Sequence, residues 1–129
     1  MKGYSFKHIF NSTELSFLAL AELCVAAVED PSEQTIRCHE LARAVGTVLG
    51  LDHVDGKYGA VEHTWLLTQV GPRRCILDVY CAGRLPMVQL IDAHSLGLLH
   101  REQYRPGSAR NDINRDTLDA LIRVMRRAL

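Results

Sequence analysis

The chain has 129 residues, 47% of them apolar and 23% charged, which suits one soluble domain with a real hydrophobic core and excludes a disordered chain. Fifteen Lys and Arg balance fifteen Asp and Glu, so no global field favours nucleic acid or an anionic membrane. The four cysteines, Cys24, Cys38, Cys75 and Cys81, lack disulfide-framework or zinc-ribbon spacing and read as reduced thiols of a cytoplasmic protein.

Lys2 and Lys7 ahead of Leu15 to Ala27 imitate a secretory signal, but Glu14 and Glu22 interrupt the apolar stretch, and Glu29 and Asp30 stand where small residues should lie. No run approaches the roughly 18 apolar residues that a membrane span needs. The segment reads instead as a first helix, capped by Asn11 with Glu14 and running to about Glu29, with Leu15, Leu18, Leu23, Val25 and Ala26 as its apolar positions. Asp30-Pro31-Ser32 ends it. A second helix begins near Thr35 and carries Leu41, Ala42, Val45, Val48 and Leu49 on one face, with Gly50 as its stop.

The pattern then changes. Val54 to Gly59 reads as a short strand entering a turn at Asp55-Gly56, and Val61 to Val70 has strand composition. Gly71-Pro72-Arg73-Arg74 turns the chain into a strand at Cys75 to Tyr80, which Gly83 breaks. Met87 to Ile91, behind Pro86, reads as a third strand or an edge segment. Ala93 to Ala109 has no clear pattern, and Arg105-Pro106-Gly107-Ser108 reads as loop. Asn114 caps a closing helix with Leu118, Leu121, Ile122 and Met125 on one face and Arg123, Arg126 and Arg127 at its C-terminal end. The class is α+β: helices, a small antiparallel sheet, then a C-terminal helix.

Cys38, His63 and Asp78 fall at three successive structural joints, 25 and 15 residues apart. Nucleophilic thiol chemistry needs these types: a thiolate, a base to make it and a carboxylate to orient the base. A helix N-terminus favours the thiolate, and its free amides suit an oxyanion. With a hairpin turn near Pro72, residues summing to about 143 lie opposite one another, which puts His63 and Asp78 one diagonal step apart on a shared face. A carboxylate between Leu77 and Val79 needs a partner if buried, and His63 is the best candidate. His39 points elsewhere on the helix and is left out. Glu62 points away from His63 and reads as solvated. Cys24 and Cys75 read as core residues.

Cys38-His-Glu-Leu-Ala42 opening a helix, then His63-Thr64-Trp65, then Leu77-Asp78, resembles the transglutaminase-like branch of the papain-like fold. The resemblance covers about residues 32 to 80. It implies a papain-like α+β domain over residues 1–129, with Cys38 as nucleophile, His63 as general base and then acid, and Asp78 as the orienting carboxylate. The Cys38–His63 interval is short for the family, and Val79 follows Asp78 where a proline is usual. The implied activity is cysteine-dependent hydrolysis of an amide, as peptidase, amidase or deamidase, or acyl transfer through a thioester, with no cofactor. The alternative is a peptide- or protein-binding module on the same fold. A zinc site of Cys38, His63, Asp78 and His39 or His53 is weighed against it and lacks the usual close-spaced ligand pair.

Around the site, Trp65 shares a strand face with His63 and either roofs the cleft or belongs to the core. Tyr58 stands just before His63, where it lines the cleft or forms the turn. Gln34 is a candidate amide donor to the oxyanion, as in papain-like enzymes, although an exposed loop position suits it better. The expected ligand is a peptide or protein amide, with a protein partner possible and neither nucleic acid nor membrane involved.

Overall fold

The computed structural model describes residues 12–28, 36–81, 85–92 and 103–129. In chain order the elements are α1 (Ser12–Val28), α2 (Cys38–Leu49), β1 (Asp52–Tyr58), β2 (Val61–Val70), β3 (Arg73–Cys81), β4 (Leu85–Asp92), β5 (Tyr104–Pro106) and α3 (Arg115–Ala128). The five strands form one antiparallel sheet in the order β4-β3-β2-β1-β5. The three helices of the described residues pack into a shared core against it. Among the described residues, no helix is long and apolar enough to cross a membrane.

β2, β3 and β4 present alternate residues to two different cores. Leu66 of β2 and Leu77 and Val79 of β3 face the helices, joining Leu41, Ala42 and Val45 of α2 and Leu118, Leu121 and Met125 of α3. Trp65, Ile76, Ile91 and Tyr104 form a second, smaller cluster with Val54 and Tyr58 packed on it. The apolar face of α1 is Ala21, Cys24, Val25 and Val28, at helical spacing; Leu23, expected inside, is exposed. Cys75, like Cys24, is a core residue as expected.

The helix ends follow local chemistry. Asn114 accepts from the Thr117 amide at 3.0 Å, the cap expected for α3. Gly50 takes the left-handed conformation at φ 73° and ends α2, while Leu51 N–H returns to the Gly46 carbonyl. The start of α2 differs from the expected Thr35: regular structure begins at Cys38, with Arg37 extended at the N-cap. Asn11, Glu29, Thr35 and Gly83 lie outside the described residues.

The sheet is larger than expected. Asp55 and Gly56 lie inside β1 rather than at a turn, and the turn falls at Gly59-Ala60. Of the expected loop, Arg105 and Pro106 instead belong to β5, paired with β1 through Gly56↔Pro106, Lys57↔Arg105 and Tyr58↔Tyr104, while Gly107 and Ser108 have no regular structure. Gly56 explains why so short a strand can dock. A Cβ there would overlap the Arg105 carbonyl oxygen and come within 2.9 Å of Pro106 Cα. Gly56→Ala is therefore expected to push β5 away and cost about 1–3 kcal/mol of stability, as overpacking does. Urea unfolding measures this directly, and an unchanged midpoint would mean that β5 docks without close backbone approach.

Candidate active site

The β2–β3 ladder runs from Val70↔Arg73 to Leu66↔Leu77, every pair summing to 143 as the turn position implies. There it ends. His63 and Asp78 lie just beyond the last paired residues, where side chains rather than backbone join the strands. His63 Nε2 and Asp78 Oδ2 are 2.8 Å apart, and both residues are 0% exposed. A carboxylate accepts, so Nε2 carries the hydrogen.

Asp78 is further satisfied. Tyr104 on β5 donates its hydroxyl to the same Oδ2 at 2.7 Å, and the Tyr80 amide donates to Oδ1 at 3.1 Å. Tyr104 had no signal in the sequence, because the segment that carries it has no clear pattern and its partner lies 26 residues away. With Tyr58 and Trp65 it also walls the imidazole. Ring centroids stand 6.3 Å from His63 for Tyr58, 5.9 Å for Trp65 and 6.3 Å for Tyr104. Trp65 is thus buried on the face it shares with His63, and Tyr58 is half-buried against Tyr104. Gln34 lies outside the described residues.

Among the described residues, His63 Nδ1 is a buried side-chain nitrogen without a partner at full hydrogen-bonding geometry. Cys38, the first residue of α2, influences the charge of this ring without forming a hydrogen bond to it at full geometry. Burial disfavours the imidazolium, but the bond to Asp78, the nearby Cys38 and the charges of both outweigh it and raise the His63 pKa to about 9. The structure therefore brings Cys38, His63 and Asp78 together. The N-cap residue Arg37 makes no side-chain bond to the first-turn amides of α2.

One expectation is overturned. His39 does not point away from Cys38: its Nδ1 and Nε2 lie 3.6 and 3.9 Å from the Cys38 sulfur. The helical position places the two Cβ atoms apart, but a buried polar partner turns the ring back. That partner is Thr64, whose Oγ1 lies 2.8 Å from His39 Nδ1. Thr64 donates to Asp55 Oδ1 at 2.7 Å. Asp55 in turn takes a two-pronged bond from Arg43, at 2.9 Å on Oδ1, and accepts from the Arg110 amide at 3.0 Å. Burial works against the Asp55 carboxylate, yet these donors hold its pKa down to about 2.

A third buried carboxylate, Glu40, is bonded by Arg37 and by the Asn114 amide at 3.0 Å. Glu62, by contrast, is largely exposed and pairs with Arg110 at 3.2 Å, consistent with its expected solvated position. Among the described residues, no group of three His, Cys, Asp or Glu side chains is arranged to hold a metal ion. Compared with protein-family profiles, curated proteins and solved structures, the chain matches none.

Proposed function

We propose that the protein is a cysteine-dependent hydrolase or acyltransferase acting on an amide bond of a peptide or protein, built on a compact transglutaminase-like variant of the papain-like fold. One observation carries the reading. A fully buried histidine is bonded through one nitrogen to a fully buried aspartate, its other nitrogen has no hydrogen-bond partner among the described residues, and a helix-terminal cysteine acts with the aspartate to raise its pKa. An orphaned buried nitrogen costs stability, and a catalytic role accounts for a cost that packing does not.

Cys38 as thiolate attacks the carbonyl, and the first-turn amides of α2 receive the oxyanion. The His63 imidazolium gives its Nδ1 proton to the departing amine, leaving a thioester that water or a second amine resolves. Asp78, fixed by Tyr104 and the Tyr80 amide, holds the His63 tautomer throughout.

The test is the pH dependence of alkylation by limiting iodoacetamide, with the labelled cysteine located by mass spectrometry. Cys38 is buried like Cys24 and Cys75, so the selective labelling of Cys38 expected below pH 7, with clear loss in His63→Ala and Asp78→Ala, would reflect activation rather than exposure. A Cys38 that stays inert until unfolding, or whose labelling ignores both substitutions, would turn the reading toward a peptide-binding module.

A further inference from the structure

The Cys38 sulfur has an imidazole from each of two chains of hydrogen bonds, and the two rings are kept in opposite states. The proton on His39 can be placed from its neighbours. Asp55, bonded by Arg43, is a carboxylate and only accepts, so the Thr64 hydroxyl hydrogen points to Asp55. The Thr64 oxygen must then accept from His39, which puts the hydrogen on Nδ1. In the neutral ring, Nε2 holds its lone pair 3.9 Å from the sulfur.

The surroundings keep the ring neutral. Burial comes first, followed by the positive charges of Arg110, from the segment after β5, and Arg37, next to α2. Glu40 and Asp55 oppose them without prevailing, so the His39 pKa is lowered. Arg43 adds a bond to the His39 carbonyl at 3.2 Å. His63, buried against Asp78, is held in its charged form instead. Titratable neighbours whose environments push their pKa values apart mark out an acid and a base.

We propose that the two halves of thioester chemistry at Cys38 are divided between two histidines, His63 serving as acid to the leaving amine and His39 Nε2 as base to the nucleophile that resolves the thioester. The inference rests on the cysteine-enzyme reading above. In the first half, the S–C bond forms, the C–N bond breaks, and the His63 Nδ1 proton leaves on the amine. In the second, water or an amine bonds to the carbonyl carbon and gives its proton to His39 Nε2. The C–S bond breaks and sulfur departs as thiolate, needing no proton. Return of the proton from His39 to His63 restores the starting state, and no redox partner is required.

The probe is p-nitrophenyl acetate in stopped flow, with the acetyl adduct located by mass spectrometry. Asparagine at position 39 keeps an N–H for Thr64 and removes the base. His39→Asn is expected to retain the wild-type burst and to accumulate acetyl-Cys38. Its steady-state rate should fall about 10²-fold or more, the usual size of a general-base contribution. Added imidazole should restore turnover, and the ionisation below pH 6.5 in wild-type deacylation should vanish. His39→Gln supplies the same readout if the asparagine variant does not fold. Deacylation at the wild-type rate, or a slow variant that imidazole does not rescue, overturns the division and assigns both steps to His63. Absence of any acetyl-Cys38 in the wild type removes the parent reading, and the division with it.

Discussion

Between pH 6.5 and 9 the protein is expected to lose about 3 kcal/mol of stability through His63 alone. The folded state holds this proton up to about pH 9, whereas an unfolded histidine releases it near 6.5. Below pH 6.5 both states are protonated and the stabilisation is complete; as pH rises through the folded value it is lost. His39 and His53, whose pKa values are lowered, act in the opposite sense and weaken the fold as pH falls through the unfolded value. Comparing wild type with His63→Gln cancels them. Urea unfolding at pH 6, 7.5 and 9 should show a steep decline for the wild type relative to the variant. Parallel curves would mean that His63 is neutral in the folded protein and that the ion pair with Asp78 does not form.

The second large effect concerns Asp55. Its side chain is 3% exposed and that of Arg43 is 10%, so neither charge has water to fall back on. Asp55→Ala is expected to destabilise the fold by about 3–5 kcal/mol, because it strands a buried guanidinium. It also removes the acceptor for Thr64 and for the Arg110 amide. Combining it with Arg43→Met should recover a substantial part of the loss, since a matched apolar replacement removes the orphaned charge. Unfolding free energies of the two single variants and the double give the coupling directly. A single-variant loss under about 1 kcal/mol would show that the pair is solvated.

The sequence carries those parts of the fold that depend on short-range rules. Gly71-Pro72 fixes the β2–β3 register, and this alone brings His63 near Asp78. Asn114 and Gly50 mark helix ends because their chemistry is local. The parts that are not legible depend on long-range partners. Tyr104 and β5 acquire their roles only from Gly56 and Asp78, each far away in the chain. His39 turns toward the sulfur because Thr64, itself aimed by Asp55, stands 25 residues on. A helical wheel places a Cβ but does not know which buried acceptor will claim the ring. Leu23, apolar yet exposed, is the reverse case: hydrophobicity identified the helix but not its inward face.

The stretch from Tyr104 to Asn114 closes three buried acids in succession. Tyr104 donates to Asp78, the Arg110 amide to Asp55, and the Asn114 amide to Glu40. Those acids belong to β3, β1 and α2, all synthesised earlier. A nascent chain that has not yet released this stretch from the ribosome carries its cysteine and both histidines but lacks these donors to the three carboxylates. Docking of this one stretch therefore satisfies carboxylates on three separate elements at once, so the three buried acids gain these donors together.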